Sequence, residues 1–268
     1  MHRLSVCGIL LLVLLFSFPL HAQAPEGDGI EVAPPPRRVE PPSPAATAHE
    51  LEIQGDQLRT TKNYLDALDY FRAALGKNPD SAALYNKIGI TELMLQRFKE
   101  ARKDFERALK KDHQHADARN NLGVTYYLQK KYGKAISEYE KAIALSPTSA
   151  SYFSNLGTAR FMKKEYERAA LAYAQALQLD PEVFERTSRT GVSAQTQTAE
   201  DRALYDYTIA KVYARLGLLD RSLQHLRKAM EEQYKDIDNV YKDKEFAVLR
   251  KDPRFTELMK TPPPGLSD

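Results

Sequence analysis

A period of 34 residues restricts this chain more than any other feature. Written in lines that begin at Ala48, Ala82, Ala116 and Ala150, the sequence has glycine at position 8 (Gly55, Gly89, Gly123, Gly157). Alanine recurs at position 20 (Ala67, Ala101, Ala135, Ala169) and at position 27 (Ala74, Ala108, Ala142, Ala176). Position 17 is Tyr64, Phe98, Tyr132 and Tyr166, and position 24 is Phe71, Phe105, Tyr139 and Tyr173. Position 32 is Pro79, His113, Pro147 and Pro181. The four lines align without insertion or deletion. A gapless period of this length marks a stacked-repeat architecture, in which each unit is too small to cover its own apolar face and gains stability from its neighbours.

Each line reads as a helical pair. Apolar residues recur at helical spacing, a polar turn follows (Lys130-Lys131, Lys163-Lys164), and a second helix runs until proline stops its hydrogen-bond ladder. Small residues at positions 8, 20 and 27 are expected to let the two backbones approach. The rings at positions 17 and 24 are expected to fill the space between neighbouring pairs. At these positions the sequence resembles the tetratricopeptide repeat family, over residues 48–183 (lines 48–81, 82–115, 116–149 and 150–183). The resemblance implies an all-α fold, a right-handed α-solenoid of antiparallel helix pairs whose concave groove holds peptides or partner helices.

A diverged fifth line fits residues 203–236, with Ile209 and Ala210 at positions 7 and 8, then Tyr213, Gly217, Ser222, Leu226 and Ala229. The Ser/Thr-rich stretch 184–202 separates it from line four and is expected to be a loop insert. Residues 237–268 read as a closing segment that covers the last helix face. Asp252-Pro253 opens a short helix through Phe255 and Leu258. Asp243 is placed to cap another, carrying Phe246 and Leu249. The string Phe246 to Phe255 resembles the segment that follows tetratricopeptide arrays in many bacterial envelope proteins.

Ahead of the array, residues 1–22 read as a signal peptide: a short basic start, an apolar run from Leu4 to Leu20 broken at Pro19, and Ala22 for a signal peptidase. The competing reading is an uncleaved anchor over residues 4–20, at the lower length limit for spanning. Either places the repeats outside the cytoplasm, in the periplasm or secreted, and limits membrane contact to an uncleaved segment. Residues 23–47 hold seven prolines in 25 residues and read as an extended spacer. The single cysteine, Cys7, lies in the apolar run, which leaves the rest of the chain without disulfide or thiolate chemistry. Lys and Arg number 39 against 36 Asp and Glu, a balance that argues against a nucleic-acid partner.

Chemistry-bearing constellations are scarce. His113 and His115 share an inter-repeat turn with Asp112 and Asp117, but no further ligand stands at metal-site spacing. The sequence has no phosphate-binding glycine loop, no G-x-S-x-G and no H-E-x-x-H. The expectation is a non-enzyme with no cofactor, no metal and no small-molecule substrate.

The groove remains. The family resemblance places positions 2, 5, 6, 9, 12 and 13 of each first helix on the concave side. The expected peptide-binding residues are Asn86, Ile90, Met94, Asn121, Val124, Tyr127, Asn155, Thr158, Phe161 and Met162. They are expected to form an exposed apolar and aromatic strip, with amides at Asn121 and Asn155 to register a peptide backbone. The Lys/Asn/Arg clamp with which co-chaperones of this family grip a C-terminal carboxylate is missing: only Asn121 matches it in lines two to four. The function expected is a protein–protein scaffold or adaptor in the bacterial envelope, with a protein or peptide partner. The alternative is a module that binds or senses polysaccharide or peptidoglycan fragments.

Overall fold

The computed structural model describes residues 40–184, 198–260 and 263. The expected signal segment, most of the expected proline-rich spacer, most of the expected insert and the last few residues lie outside the described residues. Eight helices fill lines one to four: α1 (Ala48–Thr60), α2 (Tyr64–Lys77), α3 (Ala82–Met94), α4 (Phe98–Lys111), α5 (Ala116–Leu128), α6 (Tyr132–Leu145), α7 (Ala150–Met162) and α8 (Tyr166–Leu179). Each odd helix packs on the even helix that follows it, and each even helix packs on the next odd one. Among the described residues there is no strand, and no helix is long and apolar enough to cross a membrane.

Local chemistry sets the helix ends. Thr47 and Glu50 form a reciprocal capping box at α1: the Thr47 hydroxyl accepts from the Glu50 N–H at 3.2 Å, and the Glu50 carboxylate accepts from the Thr47 N–H at 2.7 Å. First helices end in a repeated motif at position 15, where Lys62, Gln96, Lys130 and Lys164 hold left-handed φ of 58–64°. The next N–H reaches back to the carbonyl five residues before it, as in Asn63 to Leu58 at 2.8 Å and Lys131 to Tyr126 at 2.9 Å. Glycine stands at the equivalent place in line five, Gly217, with φ +75°. Second helices end at an extended residue before position 32. At Asp112 the carboxylate accepts the Gln114 N–H at 2.9 Å, so the turn forms with His113 where the other lines have proline. His115 caps α5, its Nδ1 accepting from the Ala118 N–H at 3.4 Å.

The core departs from the expected assignment of the rings. The position-24 ring lies inside its own pair, against the position-8 glycine. A Cβ added to Gly55, Gly89, Gly123 or Gly157 would lie 2.6 Å from the ring of Phe71, Phe105, Tyr139 or Tyr173 respectively. That is far inside van der Waals contact, so the ring itself demands the glycine. In line five the ring is replaced by Leu226 and the glycine by Ala210, both fully buried in one cluster.

α9 (Ala199–Arg215) begins four residues before line five, inside the stretch expected to be insert. The cause is local: Thr198 accepts the Asp201 N–H at 3.0 Å, and Glu200 and Asp201 occupy the first turn, where acidic groups complement the helix dipole. After α10 (Leu219–Glu231) come three 3-10 turns, Ile237–Tyr241, Lys244–Ala247 and Leu249–Lys251, and then α11 (Pro253–Lys260). Val240, Phe246, Leu249, Phe255 and Leu258 of this segment are buried with Tyr207, Ala210, Ala214, Leu226 and Ala229 of the fifth pair. Asp252 accepts the Arg254 N–H at 2.9 Å at the start of α11. Asp243 makes no side-chain cap; its carboxylate is engaged by α9 instead, and a run of 3-10 turns replaces the expected helix.

Candidate functional site: the first-helix face and the cleft at its end

The inner helices are tied by side chains one repeat apart. Asn121 donates its Nδ2 to Asn86 Oδ1 at 2.9 Å, and Asn155 donates to Asn120 Oδ1 at 2.9 Å. Asn120 Nδ2 in turn reaches Asn121 Oδ1 at 3.3 Å, which joins both pairs into one chain of amides across α3, α5 and α7. All four are buried. The rule is that position 6 of one line bonds position 5 of the line before. Line two obeys it with charge: Lys87 pairs with Glu52 at 2.7 Å and also with Asp56. Tyr152 likewise donates its hydroxyl to Asp117 of the line before, and burial, then that bond, push the phenol well above its usual range.

This ladder corrects the expected strip. Asn86, Asn121 and Asn155 spend hydrogen-bonding capacity on one another and their neighbours rather than facing a ligand. Tyr127, Thr158 and Phe161 are buried as well: Tyr127 packs at 5.5 Å from the Tyr132 ring, and Phe161 sits between Tyr166 and Tyr205 at 5.2 and 5.3 Å. Positions 5, 6 and 12 point between stacked first helices, where burying an aromatic ring or satisfying an amide stabilises the stack; Thr158, at position 9, is buried where its hydroxyl donates to the Ser154 carbonyl at 3.0 Å and accepts from the Tyr173 hydroxyl at 3.3 Å. Four expected residues keep accessible surface. Met94 is 42% exposed, while Ile90, Val124 and Met162 are half-buried against the underlying clusters. They occupy positions 9 and 13, one helical turn apart, so the apolar line persists in a narrower form.

In the fifth repeat the same positions open into a cleft of about 790 Å³ between α8, α9 and the closing segment. Tyr207, Lys211 and Arg215, at positions 5, 9 and 13, form one row of polar groups on α9. The Tyr207 hydroxyl donates to Asp243 at 2.9 Å, and Lys211 meets Asp243 at 3.1 Å and Glu245 at 3.9 Å. Burial and then the Asp243 contact push the Tyr207 phenol far upward, so it stays a donor at any physiological pH. Leu171 on α8 and Val248 on the closing segment line the cleft while 51% and 56% exposed. None of these residues was expected from the sequence to line a binding site, and Asp243 was expected only as a helix cap, although reading positions 5, 9 and 13 along line five finds the α9 row. Among the described residues no three His, Cys, Asp or Glu side chains gather where a metal ion could sit.

Stacked helix pairs with a ring-on-glycine core and polar rungs between inner helices define the class: an α-solenoid of short helical repeats. Tetratricopeptide repeat models match residues 54–102, 86–150 and 150–183, and the chain belongs to the tetratricopeptide repeat family. Among solved structures it is similar to a MamA fragment from Desulfovibrio magneticus RS-1, at 19% identity and a TM-score of 0.50, over 71% of this chain and 97% of that one. Another MamA structure aligns at 20% identity and a TM-score of 0.49, over 74% of this chain and 95% of that one. YrrB, described as a tetratricopeptide protein with an unusual peptide-binding site, aligns at 19% identity and a TM-score of 0.47, over 76% of this chain and 91% of that one. None of the curated proteins compared with the chain matches it significantly.

Proposed function

We propose that this chain is a non-catalytic protein-interaction scaffold, exported to the bacterial envelope, that holds a peptide or partner helix along its first-helix face. The observation that carries the reading is the line Ile90, Met94, Val124 and Met162, which leaves apolar surface accessible on a wall whose neighbouring polar groups are already satisfied. Thioether and aliphatic groups of this kind adapt to varied apolar side chains. The glycan alternative would use the amides and aromatic rings of this wall; the amides bond one another and Tyr127 and Phe161 are buried, which favours the scaffold. Export rests on the apolar run and Ala22 in the sequence. The scaffold is tested by placing a photoreactive phenylalanine analogue at position 94 and irradiating intact cells. A discrete protein adduct in the envelope fraction is expected; glycan adducts alone, or none, would overturn the reading. N-terminal sequencing of the same material is expected to begin at Gln23, and a start at Met1 would replace cleavage with the anchor.

A further inference from the structure

We infer that the outer face of α4 is a docking surface for a membrane rich in anionic lipid headgroups. The inference goes beyond the scaffold reading and does not rest on it, because α4 is a second helix and the Met94 line lies on first helices. Its basis is where the chain keeps its charge. α4 holds six Lys and Arg against Glu100, Asp104 and Glu106, a formal +3. The whole chain is also +3, so everything outside α4 cancels. The other second helices show the contrast: α2, α6 and α8 are neutral, and α10 is +1.

The excess is also aligned. Lys99, Lys103, Arg107 and Lys110 follow one another at steps of four, four and three, which puts them on one stripe of the helix, and all four are exposed. Arg102, Arg107 and Lys111 pair with Glu106, Asp104 and Asp80 respectively. Lys99, Lys103 and Lys110 make no ion pair among the described residues. Like charges four apart repel along a helix, and Lys99, in the first turn, also opposes the helix dipole. The stripe therefore costs stability in the free chain, and an anionic surface outside the chain is what would relieve it. A protein partner would need an apolar centre, and none of the large apolar side chains of α4 is exposed. A plane of headgroup phosphates needs only cations on an outward ridge, each attracted within a Debye length of about 10 Å.

The test floats the full chain with vesicles of phosphatidylcholine alone, or of phosphatidylcholine with about a third phosphatidylglycerol. Any hold by the apolar run at residues 4–20 is common to both, so the ratio between them reports charge. Binding to the anionic vesicles is expected to be at least about tenfold tighter, with the preference shrinking as salt rises. Lys103→Gln with Lys110→Gln should weaken it about 25-fold, about fivefold for each cation. Lys228→Gln with Lys242→Gln removes the same charge elsewhere and should leave it within about twofold. All four lysines are exposed, so the variants are expected to fold, and circular dichroism checks that they do. Equal binding to the two vesicle types would overturn the proposal, as would an equal loss from the two double variants. Salt-sensitive binding to soluble polyglutamate without vesicle binding would assign the stripe to an acidic protein and also overturn it. The adduct at position 94 stands or falls separately from all of these.

Discussion

Repeats one to four and the fifth repeat solve the same packing problem with different pairs of residues. In the first four an aromatic ring lies on glycine, so close that a single added methyl would collide at 2.6 Å. In the fifth, Leu226 fills the space and Ala210 is accommodated, with both side chains fully buried. The glycine is thus a property of the ring it faces. The inner face differs in parallel. Repeats two to four close it with buried amides, whereas the fifth leaves a charged and apolar cleft beside the closing segment. Core and inner surface therefore change together along the array, from a narrow apolar line beside buried amides to an open cleft.

The largest expected effect comes from transplanting the fifth-repeat solution into the third. Gly123→Ala alone should overpack against Tyr139 and destabilise the chain by about 1–3 kcal/mol. In a Tyr139→Leu background the same change should stabilise, by about 0.5–1 kcal/mol, because alanine then contributes only its better helix propensity. Denaturant unfolding of the four variants measures the coupling; additive effects would break the comparison between the two regions.

A smaller effect is expected at the closing segment. Asp252 is held down to about 2, first by its hydrogen bonds from the Arg254 side chain and then by the Arg254 backbone N–H. A carboxyl lowered in the folded state contributes stability above its ordinary value of 3.8, and loses that contribution as pH falls through about 2. Amide exchange of α11 is therefore expected to quicken between these values while α5 and α6 respond less, and Asp252→Asn should remove the difference.

Much of the fold was legible because a gapless period repeats the same evidence four times. Helix pairs, the positions of small residues and the end of the array at a buried Phe246 and Phe255 all follow from side-chain size and spacing. The inner face was harder to read. A concave position in an isolated repeat becomes a buried one when the next repeat stacks on it, and this moved Tyr127, Phe161 and the amides out of the expected strip. The 35-residue offsets that join Asn86 to Asn121 and Asn120 to Asn155 were present in the sequence, but only a rule linking adjacent lines gives them meaning. The cleft depended on a tertiary choice. Asp243 has the sequence character of a helix cap, and its capture by Tyr207 and Lys211, 36 and 32 residues earlier, becomes visible only when the closing segment folds back.

The claim that the amide wall of repeats two to four is internal structure is tested most directly by the stability of Asn155→Ala. Removing this side chain leaves Asn120 Oδ1 buried without the donor that reaches it at 2.9 Å. Equilibrium denaturation should show a loss of about 1–3 kcal/mol, the usual consequence of stranding a buried polar group. A change within about 0.5 kcal/mol, as at an exposed position, would contradict the buried ladder and return Asn155 to the open surface of the groove.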